Sequence, residues 1–167
     1  MIGDVIIAAQ AFDADIFNIH NTIANTDFSS ALIHPNTDTL TPRFYSADTT
    51  LLTLAQSVSH THNNVSSGII ATSNHFPAPK ALFELIKNNH ADIIDMESAA
   101  IYQYSWLTGI PSLVVRGISN RLNANGDDED TSCCDIDNSA ANAANIIIHC
   151  TKQLRRQHLS KSSKIEV

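Results

Sequence analysis

Glu97 and Asn120 carry the residue types and positions from which chemistry can be argued. Glu97 follows the short apolar run Ala91 to Asp95 and falls where a helix opens at Met96-Glu97-Ser98. Free N–H groups and the helix dipole favour a carboxylate at such a place. An ionised carboxylate accepts two hydrogen bonds side by side, which matches a vicinal diol such as the 2′ and 3′ hydroxyls of a ribose. An ordinary helix-start carboxylate fits the spacing equally well. Asn120 ends a second apolar run, Ser112 to Ile118, just after Arg116-Gly117-Ile118-Ser119. Its amide donates and accepts at once, as reading the edge of a heterocycle requires, and a plain loop or cap asparagine is the alternative. Arg116 lies within the strand and needs a partner if buried, for which Asp95 is the candidate. Phe76 follows another strand and suits stacking on a base or filling the core. Met96 suits packing on a sugar face or, again, the core.

Other residues invite chemistry and do not support it. His60-Thr61-His62 places two imidazoles close together, without the further ligands a metal site needs. Cys133-Cys134 is not a CxxC pair. Asp127-Asp128-Glu129-Asp130 lacks the alternation and glycine of a calcium loop. There is no GxGxxG, Walker A or GxSxG motif. Nothing calls for a metal or a cofactor.

The elements that must position Glu97 and Asn120 follow from the apolar pattern. Val5 to Ala9 predicts a buried strand, with a second extended piece around Phe12 to Ile19. Residues 20–42 are rich in Asn, Thr, Ser, Asp and Pro and predict a long loop. Ser46 to Ser59 predicts a helix capped by Ser46. Val65 to Thr72 predicts a strand, Ser73 to Pro77 a polar turn, and Ala78 to Asn89 a helix. The strand Ala91 to Asp95, a helix closing at Gly109, and the strand Ser112 to Ile118 then predict a parallel βαβ unit. In such sheets ligands sit at strand carboxyl ends, and both Glu97 and Asn120 fall at one. A last helix runs from Asp137 or Ser139 to about Gln157, where Ala140, Ala141, Ala144, Ile147, Ile148 and Leu154 make an apolar face. The expectation is one domain over 1–157 and a frayed polar tail over 158–167. The strand runs near 5, 65 and 112 read as central strands needing helices on both faces. With only four helices to cover them, the chain reads as the second part of a larger fold.

The chain as a whole narrows the class. Its 167 residues suffice for one core, and 43% hydrophobic against 16% charged residues suit a globular protein. A net charge of −7 argues against sequence-independent binding to nucleic acid, which needs a basic face. Met1-Ile2-Gly3-Asp4 lacks a signal peptide's basic start and apolar core, and no run is long enough to span a membrane. Three cysteines make no disulfide framework. The expectation is a cytoplasmic protein with no membrane and no nucleic-acid partner.

Two longer motifs sharpen this. Asp95-Met96-Glu97-Ser98-Ala99-Ala100 resembles the E-M-E-[AGS]-x-A run of the nucleoside phosphorylase and nucleosidase superfamily. Val114-Val115-Arg116-Gly117-Ile118-Ser119-Asn120 resembles its V-V-R-[AG]-I-S-[DN] strand end. Gly3-Asp4-Val5-Ile6-Ile7, the stretch Gly68 to Phe76, and the alanine-rich helix from Ser139 match weaker family motifs in the right order. The closest likeness is to the C-terminal part of 5′-methylthioadenosine/S-adenosylhomocysteine nucleosidases. The resemblance implies an α/β fold of three layers, incomplete here, with a mixed central sheet flanked by helices. It implies cleavage of the N-glycosidic bond of a purine nucleoside, by water or by phosphate, and a homo-oligomer. It implies that Phe76 flanks the base, Met96 packs on the ribose, Glu97 binds the ribose hydroxyls, and Ser119 and Asn120 face the base. Where this chain has Asn120, the nucleosidases usually carry an aspartic acid that protonates the purine. Asparagine cannot deliver that proton, although branches resembling futalosine hydrolase also carry it. The family's N-terminal half, with the carboxylate that activates water, has no counterpart in the sequence. The rival expectation is a non-catalytic nucleoside-binding remnant.

Overall fold

A computed structural model of the chain describes residues 2–16, 42–59, 64–129 and 136–162. Most of the expected long loop, the histidines at 60 and 62, and the paired cysteines lie outside the described residues. The elements in chain order are β1 (Val5–Asp13), β2 (Tyr45–Ser46), α1 (Thr49–Ser59), β3 (Val65–Thr72), α2 (Lys80–Asn88), β4 (Ile93–Asp95), α3 (Ser98–Thr108), β5 (Val115–Gly117) and α4 (Ile136–Ser162).

The strands form one mixed sheet. β1 and β3 pair in parallel, and β3 pairs in parallel with β4. On its other edge β1 takes two antiparallel partners in succession. Its first residues pair with β5, Val5 opposite Gly117 and Ile7 opposite Val115, and its later residues Gln10 and Ala11 pair with β2. A bulge at Ala9 separates the two stretches: Ala8 sits opposite Gly68 and Gln10 opposite Ile69, leaving Ala9 as the extra residue. A bulge bends its strand and strengthens the twist. Here it turns one long strand from one partner to the next. Of the second extended piece expected around Phe12 to Ile19, Phe12 and Asp13 belong to β1, and residues 17–19 lie outside the described residues. Residues 14–16 then turn helically, because the Asp13 carboxylate accepts from the N–H groups of Asp15 and Ile16.

Alternation along the strands sorts the core into two faces. Ile6, Ala8, Ala11 and Ile70 face α3 through Ala99 and Tyr102. Val5 and Ile7 face the other way, onto Leu54, Ala55 and Val58 of α1 and Ile146 and Cys150 of α4. Phe12 and Ala71 continue that second face onto Leu82, Phe83 and Ile86 of α2. The result is the expected α/β architecture, a mixed sheet with helices on both sides. α3 covers this first face, with Leu52 of α1 packing against the same cluster.

Several expectations are corrected. The strand–α3–strand stretch is not a parallel βαβ unit, since β4 pairs with β3, β5 pairs with β1, and the two run in opposite directions. Among the described residues β5 is three residues long and pairs with β1 alone. The parallel units are instead β1–α1–β3 and β3–α2–β4. Ser46 belongs to β2 and does not cap α1. The carboxylate of Asp48 does so, accepting from the Leu51 N–H at 2.9 Å. α4 continues helically to Ser162, into the tail expected from 158.

Candidate functional site

The site is built outward from Asp95, the last residue of β4. Its side chain is nearly buried and accepts hydrogen bonds from several directions. The Thr72 hydroxyl at the end of β3 donates to it at 2.8 Å. The N–H groups of Glu97 and Ser98 donate at 3.3 and 3.2 Å, and the Ser98 hydroxyl makes a further short contact. Arg116 Nε, reaching across from β5, donates at 2.8 Å. Thr72 Oγ1 also accepts the Ala99 N–H at 2.8 Å. Asp95 and Thr72 therefore satisfy the first free N–H groups of α3, the work that an N-cap side chain ordinarily does.

That arrangement releases Glu97. It sits at the N-cap position itself, one step before the first helical residue, and makes no capping hydrogen bond with its own side chain. The helix expected to open at Met96 begins at Ser98 instead. The Glu97 carboxylate is 60% exposed and is held from one side only, by Arg116 Nη2 at 2.6 Å. Arg116 thus grips two carboxylates with one guanidinium: the buried Asp95 through Nε and the exposed Glu97 through Nη2. The planar fork of arginine makes this possible, which a lysine ammonium could not reproduce. The other Glu97 oxygen accepts no hydrogen bond among the described residues, so the carboxylate has acceptor capacity to spare.

Met96 and Phe76 are about half exposed, which removes core filling as the account of either. Phe76 ends a turn that a second acidic residue pins. Asp15 accepts from the Ser73 hydroxyl at 3.0 Å and the Asn74 N–H at 2.7 Å, and lies 3.4 Å from His75 Nδ1. Burial alone would push Asp15 up; the hydrogen bonds from Asn74, Ser73 and His75 outweigh it and hold its carboxyl below the ordinary value. Nothing in the sequence marks Asp15 as the anchor of a turn so far along the chain. Ser73, Asp15 and His75 do not form a nucleophilic triad, because the Ser73 hydroxyl is buried and donates to the carboxylate rather than to the imidazole.

Ser119 and Asn120 form a separate group. The Ser119 hydroxyl donates to Asn120 Oδ1 at 2.8 Å, and Asn120 Nδ2 donates to Asp128 at 3.1 Å. An ionised carboxylate only accepts, so Asp128 fixes which way the Asn120 amide points. Among the described residues no hydrogen bond joins this pair to Asp95, Glu97 and Arg116. Because β4 and β5 are antiparallel, the carboxyl-end rule for open parallel sheets does not bring Glu97 and Asn120 together. What reaches between the two strands is the side chain of Arg116. Two backbone features steady the second group. Gly117 lets β5 lie against α4, since a Cβ there would meet the Ser139 carbonyl oxygen at 2.1 Å. The Ser139 hydroxyl donates to the Ile118 carbonyl at 2.6 Å. Among the described residues no cluster of His, Cys, Asp and Glu could hold a metal ion. Nor is any described helix long and apolar enough to cross a membrane.

A mixed α/β sheet of this kind, with a carboxylate presented at the start of one helix, places the chain in a class of fold shared with known nucleosidases. A family model described as the phosphorylase superfamily matches residues 1–154, and the chain belongs to that superfamily. The 5′-methylthioadenosine/S-adenosylhomocysteine nucleosidase of Staphylococcus carnosus is 32% identical over 159 residues, which are 92% of this chain and 63% of that protein. The corresponding Streptococcus pneumoniae nucleosidase, solved with a transition-state inhibitor, superposes with a TM-score of 0.66 at 24% identity, covering 92% of this chain and 63% of that one. Futalosine hydrolase of Helicobacter pylori gives a TM-score of 0.66 at 22% identity, over 92% of this chain and 61% of that one. The chain spans a little under two thirds of the length of these relatives.

Proposed function

We propose that the chain binds a purine nucleoside and acts on its N-glycosidic bond. The observation that carries this reading is the Glu97 carboxylate, freed from capping by Asp95 and Thr72 and steadied by Arg116 with one oxygen open. A helix-start carboxylate that merely stabilised its own helix would face the helix N–H groups instead. In this reading Glu97 accepts from the ribose 2′ and 3′ hydroxyls and Met96 covers the sugar. Phe76 flanks the base, and Ser119 and Asn120 meet its edge. Cleavage breaks the bond between the sugar's anomeric carbon and the base nitrogen, the electron pair leaving with the base. The ribose becomes oxocarbenium-like and is taken by water or by phosphate. Asn120 steadies the departing base through the amide N–H that Asp128 does not take, and supplies no proton. Against a carboxylic acid at that place, this lowers the rate by about 10²- to 10⁴-fold.

A second reading, nucleoside binding without cleavage, is favoured by that same amide. One experiment separates them. The purified chain is incubated with methylthioadenosine, adenosine and inosine, with and without phosphate, and free base is measured alongside equilibrium binding. Base release that disappears in Glu97→Ala supports the enzyme, and its dependence on phosphate tells phosphorolysis from hydrolysis. Saturable binding without release supports the binding protein. A folded chain that shows neither would sink the assignment of Glu97.

A further inference from the structure

β1, β3 and β4 are neighbouring parallel strands, and their last residues, Asp13, Thr72 and Asp95, pair in one row across the sheet. Ligands of open parallel sheets sit beyond such a row. Just beyond this one come Asp15 after β1, the turn Ser73 to Phe76 after β3, and Met96 and Glu97 after β4. Ser73 links the three. It is 1% exposed, its N–H donates to the Asp95 carbonyl at 2.8 Å, and its hydroxyl donates to Asp15 Oδ1 at 3.0 Å. The same hydroxyl accepts the His75 N–H at 3.0 Å, while Asp15 Oδ2 accepts the Asn74 N–H at 2.7 Å. The His75 imidazole, largely exposed, adds a looser contact of 3.4 Å to Asp15. Three consecutive residues before Phe76 therefore hang on one carboxylate. Through Ser73 they are tied to Asp95, which anchors the start of α3 and shares Arg116 with Glu97.

We propose that Asp15 is a positioning residue for the candidate site. Through Ser73 and Asn74 it fixes the turn that carries Phe76, and so sets the offset between the ring that flanks the base and the carboxylate that holds the sugar. The proposal rests on the nucleoside reading of Phe76 and Glu97. Phe76 is half exposed, so its place is set by the backbone of the turn and not by burial in the core. Hydrogen bonds to an ionised carboxylate are the stronger kind, and two of them from adjacent residues hold the turn in one conformation. A nucleoside must meet both ends of the site at once. A turn already held loses less freedom when the ligand binds, which raises affinity. Asp15 acts through the turn and not on the ligand.

The reporter is Phe76→Trp combined with Trp106→Phe, which moves the chain's single tryptophan into the turn. Its fluorescence anisotropy and its quenching by acrylamide are measured without nucleoside, alone and with Asp15→Ala, Asp15→Asn or Ser73→Ala, at a temperature where circular dichroism shows each protein folded. Binding of methylthioadenosine, adenosine and inosine is measured for the same three substitutions with Phe76 and Trp106 in place. Asp15→Ala lowers the anisotropy, raises the quenching and weakens nucleoside binding by about tenfold or more. Asp15→Asn retains one acceptor oxygen and Ser73→Ala retains the Asn74 bond, so both fall between wild type and Asp15→Ala in each readout; they decide the matter if Asp15→Ala does not fold. Val58→Ala opens the core beside α1 instead, and it lowers stability without moving either readout. An unchanged reporter in the Asp15 and Ser73 variants would overturn the proposal. So would a loosened turn with unaltered affinity, or an equal effect of Val58→Ala. Failure of the nucleoside reading is distinct from all of these: wild type itself would then bind none of the three nucleosides, and the positioning role would fall with it.

Discussion

At the scale of single residues, Arg116 decides how Asp95 and Glu97 divide their labour. Asp95 is 10% exposed in its side chain and anchors the start of α3, whereas Glu97 is exposed and held by one contact. The two carboxylates therefore respond differently to mutation. Arg116→Leu strands a nearly buried carboxylate and is expected to destabilise the fold by roughly 2 kcal/mol. Glu97→Gln loses one exposed ion pair and is expected to cost about 0.5 kcal/mol or less. Chemical denaturation of the two variants checks this. If Glu97→Gln proved as damaging as Arg116→Leu, Glu97 would be a structural residue and its proposed role in binding would lose its basis. The pairing of Arg116 with Asp95 was legible in the sequence, because an arginine inside an apolar strand needs a partner. The second grip on Glu97 was not, since it depends on Thr72 and Asp95 having taken over the capping. Asp15 was equally invisible: its bonds to the turn before Phe76 join residues that no local pattern connects.

At the scale of elements, the apolar runs located the strands and helices well and their pairing poorly. Periodicity places Val65–Thr72 and the helices after it to within a few residues. It does not say which strand lies beside which, and the run from Ala91 to Asn120 reads as a parallel unit although its two strands run in opposite directions. The bulge at Ala9 is silent in the sequence for the same reason, being defined only by the register of β1 against β3. One element contact, though, rests on a single residue. β5 approaches the start of α4 so closely at Gly117 that a methyl group would collide with the Ser139 backbone, which cannot swing away as a side-chain end would. Gly117→Ala is expected to push β5 from α4 and cost roughly 3 kcal/mol. Arg116 and Ser119 lie on either side of Gly117, so displacement of the strand moves both. Thermal unfolding, compared with Gly3→Ala, checks the close-approach account. The added Cβ at Gly3 meets no atom within 4 Å, although a positive φ of 87° adds backbone strain there. A Gly117→Ala protein as stable as wild type would refute the close approach.

At the scale of the whole molecule, the class of fold was legible because two long motifs and three shorter ones fall in family order. What the sequence could not convey is how the distant parts are tied, and Tyr102 is the tie. In an antiparallel pair, facing residues exchange two backbone bonds. Here the Ala8 N–H donates to the Val114 carbonyl at 3.0 Å, but the return bond runs through a side chain. The Tyr102 hydroxyl donates to the Ala8 carbonyl at 2.6 Å and accepts from the Val114 N–H at 3.1 Å. One buried hydroxyl thereby joins β1, α3 and the approach to β5. Tyr102→Phe leaves two buried backbone groups unpaired and is expected to destabilise the protein by roughly 2–4 kcal/mol. The same hydroxyl sets an alkaline limit. Burial, only partly offset by the Val114 N–H, pushes its pKa from 10.0 up to about 12. Between those values the unfolded chain gives up the proton while the folded chain keeps it, so stability is complete below pH 10 and falls as pH rises towards 12. Linkage sets the slope at about 1.4 kcal/mol per pH unit for one such group. Tyr45, also raised by burial and by the charge of Asp13, contributes a slope of the same sign to wild type and variant alike. Urea unfolding followed from pH 9 to pH 12 should therefore show the two proteins converging, with the variant less stable at pH 9 and its disadvantage shrinking as wild type loses the Tyr102 contribution. Parallel curves across that range would mean that the hydroxyl is not held protonated between β1 and β5.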